Sequence, residues 1–95
     1  MTFRPAQALT VHNATTVLNA GLSAIAAGQT QFDLSDLTVV DSAAVATMLT
    51  WQRAARGTGK SLVFSNLPAN LESLVNLYDV AELLHCTPRA DLLHH

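Results

Sequence analysis

Charge is what this 95-residue chain most lacks. Only 13% of its residues are charged, seven acidic against five basic, for a formal net charge of −2. Soluble domains carry about a quarter. So small and balanced a set excludes sequence-independent nucleic-acid binding, which needs a basic patch to neutralise phosphates. Cysteine is almost missing too. Cys86 stands alone, so no internal disulfide framework exists, and a reducing compartment fits. No apolar run approaches the roughly 18 residues that would span a bilayer. The start, Met1-Thr2-Phe3-Arg4-Pro5, has no charged region followed by an apolar one, so it does not read as a signal peptide. Disorder is excluded as well, because the hydrophobic share is 49%. The expectation is a cytoplasmic globular domain, one unit over residues 1–95, with part of its surface covered by a partner. A chain of this length buries roughly 60–65% of its unfolded surface, which gives one core and little room for a deep catalytic cleft.

The remaining charge is uneven. Between Arg4 and Asp33 the only ionisable side chain is His12, whereas Arg53, Arg56 and Lys60 fall in one short stretch. Segment Phe3 to Val11 reads as a strand, with Pro5 confining it to an edge or a strand start. Asn13 is an N-cap type, and Val17, Leu18, Leu22 and Ile25 follow at helical spacing until Gly28 stops the helix. Thr30 to Leu34 alternates like a half-buried strand, Ser35-Asp36 turns or kinks, and Leu37 to Val40 is β-rich. Asp41-Ser42 opens a second helix, Ala43 to about Arg56, ended by Gly57-Thr58-Gly59. Ser61 to Ser65 is a strand, and Pro68 takes the first position of a third helix. The apolar face of that helix is Leu71, Leu74, Val75 and Tyr78. Val80, Leu83 and Leu84 form a last apolar stripe, and residues 87–95 read as loosely held. Strand–helix alternation predicts an α/β domain with helices on a sheet, parallel where each helix is a crossover.

Three constellations suggest chemistry and fall short. Gly57-Thr58-Gly59-Lys60-Ser61 ends like a phosphate-binding loop, but Ala54 stands where that loop needs glycine. Its context also runs helix to strand, so no helix N-terminus would receive the phosphate. His85, Cys86, His94 and His95 match no common zinc spacing, so neither metal nor cofactor is expected. Ser42 with His12 lacks the Gly-x-Ser-x-Gly elbow of a serine hydrolase.

Asp41-Ser42 is the informative pair. A strand delivers both polar residues to a helix start, and small Ala43 and Ala44 follow. One polar residue suffices for a cap; two on a small-residue platform make a docking patch. A phosphate on Ser42 would suit the helix dipole yet repel an apolar or acidic partner. A core stripe through Val45, Met48, Leu49 and Gln52 leaves Ala43, Ala46, Thr47, Thr50, Trp51 and Ala54 nearer the surface. A rotated stripe would bury Trp51 instead, and spacing does not decide between them. Exposed, Trp51 is the hot-spot candidate. Arg53, Arg56 and Lys60 then form a basic rim facing acidic groups on a partner, or ordinary charge at a helix C-terminus.

The run Phe32-Asp33-Leu34-Ser35-Asp36-Leu37-Thr38-Val39-Val40-Asp41-Ser42 resembles the signature of STAS domains: an apolar strand, Asp-Leu-Ser, then Asp before Ser or Thr at a helix start. The resemblance covers about residues 8–84. Asn66-Leu67-Pro68, Leu77-Tyr78, Val80 and Leu83-Leu84 are similar to the C-terminal half of MlaB-type members, subunits of a bacterial phospholipid-transport ABC complex. The resemblance implies a STAS-type α/β fold, a small mixed β-sheet with helices mainly on one face. It also implies a non-enzymatic accessory subunit that binds, and stabilises or activates, the complex's ATPase (an MlaF-like subunit), in support of outer-membrane lipid asymmetry. Such a subunit would be cytoplasmic, held at the inner face of the inner membrane through its partner without inserting; a weak homodimer is the other association allowed for. Partner binding would use Asp41, Ser42, Ala43, Thr47, Thr50, Trp51 and Arg53. The alternative is an anti-sigma factor antagonist switched by phosphorylation of Ser42, the position that the resemblance assigns to that modification. Ala43 and Ala44 stand where both groups usually have a glycine, which favours docking over a switch whose kinase needs close approach.

Overall fold

The computed structural model describes residues 2–88. β1 (Gln7–Leu9) leads into α1 (Ala14–Ala26), and β2 (Gln31–Asp33) and β3 (Leu37–Val40) into α2 (Ser42–Gly57). β4 (Val63–Leu67) is followed by α3 (Ala69–Leu77), α4 (Ala81–Leu84) and β5 (Cys86–Pro88). β1 pairs with β3, and β4 lies between β2 and β5. Phe3 bridges Phe32, so residues 3–9 run alongside 31–40 and join the two small sheets. The α/β architecture is the expected one. The expected mixed sheet is refined: every pairing among the described residues is parallel. The reason is that helix lies between the paired strands in sequence, so the chain returns to the same end of the sheet each time.

Several local signals act as read. Gly28 (φ 95°) ends α1, with its amide on Ile25 O and that of Gln29 on Ala24 O. Gly59 (φ 80°) ends α2 in the same way, through Gly59 N to Arg56 O and Lys60 N to Ala55 O. Two amides of the glycine-lysine segment are thus spent on a helix end and cannot cradle a phosphate. Pro68 sits one position earlier than expected, as the N-cap of α3.

Other signals act differently. Asn13 holds the N-cap position without capping. Its Oδ1 accepts the Thr10 amide and its Nδ2 donates to Ala8 O, which fastens the turn between β1 and α1. The first strand is shorter than expected, because Pro5 interrupts the ladder and Gln7 takes a left-handed φ of 68°. At the other end Cys86–Pro88 pair with β4, whereas residues 89–95, including His94 and His95, lie outside the described residues. Among the described residues no group of three or more His, Cys, Asp or Glu could hold a metal.

α2 is the central helix, packed on α1, α3 and α4. Four of the chain's five aromatic residues meet beneath it. The Trp51 ring stands edge-on to Phe32 at 5.1 Å and to Phe3 at 5.7 Å, and stacks on Phe64 at 6.4 Å. Such pairs add about 0.5–1.5 kcal/mol each beyond area burial. Of the two orientations that spacing left open, the structure takes the one that buries Trp51, which removes it from the expected docking residues: it is 0% exposed, and its Nε1 donates to Leu18 O of α1 at 2.9 Å. Gly21 of α1 makes this possible, since a side chain there would occupy the space of the indole. Thr47, expected outside, is buried too, its hydroxyl donating to Ala43 O. The stripe is wider than sequence spacing suggested because α2 is covered by the sheet below and by helices beside it.

Candidate docking surface

β3 carries the chain to Asp41, whose Oδ1 accepts the Ala43 amide at 2.8 Å and so caps α2. Its Oδ2 accepts the Val11 amide at 3.1 Å. Both oxygens are thus engaged, and Asp41 positions the helix start and the preceding loop. Ser42, the first helical residue, is exposed.

From Ser42 a shallow groove of about 440 Å³ runs along α2 past Val45, Ala46 and Leu49, walled by Tyr78 and Val80. A second hollow of about 210 Å³ shares Leu49 and continues past Gln52, Arg53 and Arg56, walled by Leu83. Tyr78 is the one aromatic outside the core and is 48% exposed; Leu83 is 51% and Leu77 73% exposed. Their placement follows from the turn between α3 and α4. Asp79 takes a left-handed φ of 57° and its amide bonds to Asn76 O, while the Val80 amide bonds to Val75 O. Asp tolerates this conformation better than most residues. The turn thereby leaves Tyr78 and Val80 facing Ser42 and Val45 across the groove.

At the far end Gln52 is buried and holds Leu62 at both backbone groups, Nε2 to O at 3.0 Å and Oε1 from N at 2.8 Å. Arg56 donates to Leu83 O at 3.5 Å and lies 3.4 Å from His85 Nε2. Burial, and secondarily Glu72, pushes the neighbouring Cys86 thiol up to about 11. It is therefore a packed thiol and not a reactive thiolate.

Of the expected docking residues, Ser42, Thr50 and Arg53 are exposed, and Ser42 and Arg53 line the groove. Ala43 is half-buried, and Thr47 and Trp51 face inward. Sequence reasoning missed Leu49, Tyr78, Val80 and Leu83 as members of the surface. Their signal was the Leu77-Tyr78 and Leu83-Leu84 pattern, which reads as core by spacing alone.

A short α/β sheet carrying one central helix, whose start and flank face solvent, defines a domain of the STAS type. The structure of the anti-sigma factor antagonist SpoIIAA in its unphosphorylated form is similar to this fold. It matches with a TM-score of 0.65 and 15% identity, over 97% of this chain and 82% of that chain. Within that class the chain belongs to the MlaB STAS domain family (STAS_2), which it matches over residues 6–85. No curated protein sequence matches it. No helix among the described residues is long and apolar enough to cross a membrane.

Proposed function

We propose that this chain is a non-enzymatic accessory subunit that docks on the ATPase of a phospholipid-transport ABC complex and stabilises or activates it. The observation that carries the reading is the apolar groove on the flank of α2, in a chain of the MlaB family. The surface that it gives to a partner starts at Ser42 and ends at Arg53 and Arg56. Leu49 and Leu83 supply the apolar contact in the middle. Attachment to the inner face of the inner membrane then comes through the partner, and the role is support of lipid asymmetry in the outer membrane.

Co-purification with the candidate ATPase tests the reading, using the parent and the variants Ser42→Glu and Ala46→Glu. Both positions are exposed, so neither change disturbs the core. Retention of the parent with loss of both variants supports it. Failure of the parent to co-purify, or retention of both variants, overturns it.

A second reading has one observation in its favour. Ser42 is exposed at the N-terminus of α2, where a phosphate would meet the helix dipole. In an anti-sigma factor antagonist, modification there would switch binding. Incubation with a cognate serine kinase modifies Ser42 under this reading and leaves it unmodified under the first.

A further inference from the structure

The groove's polarity and geometry point to one kind of occupant, and we infer that it receives an amphipathic α-helix of the partner with acidic side chains at the end that meets Arg53 and Arg56. This rests on reading the flank of α2 as the docking surface.

Shape comes first. The two hollows share Leu49 and extend from Ser42 to Arg56, about 21 Å of helix at 1.5 Å per residue. That length matches about four turns of a second helix lying along the first. Exposed Ala46 near the middle lets an incoming backbone approach closely.

Hydrogen-bonding capacity then separates a helix from an extended peptide. In the larger hollow only Ser42 and Tyr78 carry polar side-chain groups. In the smaller one Gln52 is already bonded to Leu62, which leaves only the Arg53 and Arg56 guanidiniums, and these donate but cannot accept. The hollows are lined by α2, α4 and the turn between α3 and α4, none of which offers an open ladder for strand addition. An extended segment pressed here would bury backbone amides and carbonyls without partners, at a cost of about 1–3 kcal/mol per group. A helix satisfies its own backbone and presents only side chains.

Charge sets the direction. The only ion pairs among the described residues join Arg4 to Asp33 and Asp36, far from the groove in sequence. Arg53 and Arg56 therefore stand at one end without an acidic partner, and the C-terminus of α2 already favours Arg56 there. Asp41 and exposed Asp79 lie at the other end. An acidic end on the incoming helix completes the first pair and is repelled by the second.

A direct test uses two synthetic 15-residue peptides with the same leucine face. One carries two glutamates at one end and the other carries two lysines there. Each is titrated into the isotope-labelled chain and followed by NMR shifts, with circular dichroism of the peptide. The acidic peptide should bind about tenfold more tightly at low salt, lose the advantage as salt rises, gain helicity, and shift Ala46, Leu49 and Leu83. Arg53→Glu, which removes no hydrogen bond within the chain, should cancel the preference, and Arg53→Glu with Arg56→Glu should reverse it. Equal binding of the two peptides, an unchanged preference in the double variant, no gain in helicity, or shifts elsewhere would overturn the inference. Co-purification with the ATPase is read separately, so a failed ATPase partner and a failed helix site give different results.

Discussion

Gly21 shows how much one residue can decide. Glycine in a helix interior costs about 1 kcal/mol against alanine, so propensity alone favours replacing it. The structure predicts the opposite, because the indole of Trp51 occupies the space of a side chain there. Gly21→Ala should lower stability by about 1–3 kcal/mol through overpacking, read as a lower urea midpoint. A near-ultraviolet dichroism change from the displaced indole should accompany it. Asp33 gives a second test at this scale. Burial alone would raise its pKa, but the Ser35 amide and hydroxyl, the Arg4 guanidinium and Asn66 outweigh burial and hold it down to about 2. An unfolded aspartate titrates near about 3.9. The charged form is thus favoured by folding, so the contribution is complete above about pH 4 and is lost as pH falls through about 2. Arg4 is largely exposed, so screening by solvent keeps its share of the effect small. In urea titrations from pH 5 to pH 2, Asp33→Asn should flatten the acid limb that the parent shows.

Among the elements, α2 separates what could be read from sequence and what could not. Its start and end were legible because Asp41 and Gly59 act within one turn of the chain. So was the strand–helix order, although a mixed sheet was expected where every described pairing is parallel. Its facing was not legible, because a stripe at helical spacing identifies a buried face only when one side is covered. Here the sheet, α1, α3 and α4 all touch α2, and the buried set widens to include Ala44, Thr47, Trp51 and Ala55. The one cue lay outside the helix, in Gly21 on α1, and pairing them needed tertiary structure. Gln52 shows a related limit. Spacing placed it in the core, but its reason for being polar is the backbone of Leu62. Gln52→Ala leaves that N–H and C=O unpaired while buried, and should cost about 2–4 kcal/mol. Hydrogen exchange should locate the loss, with the Leu62 amide deprotected more than those of α1.

For the molecule as a whole, the shortage of charge divides into two parts. On α1 the exposed positions Thr15, Thr16, Asn19 and Ser23 are polar and neutral, so that helix tolerates water without ion pairs. Along the groove the exposed or half-exposed Leu49, Tyr78 and Leu83 are apolar and gain from cover. If a partner covers them, binding to the folded chain alone must raise its stability, by about 2.7 kcal/mol when the partner is at a hundred times its dissociation constant. Leu49→Asp separates folding from docking, because Leu49 lies on the groove and is only half-buried. Alone, this variant should still fold but lose about 1–3 kcal/mol, because Leu49 is half-buried and packed against the core. With a saturating ATPase partner, the parent's melting temperature should rise and the variant's should stay where it was. An equal rise in both would mean that the partner sits on another face, and the neutral outer side of α1 would be the next surface to test.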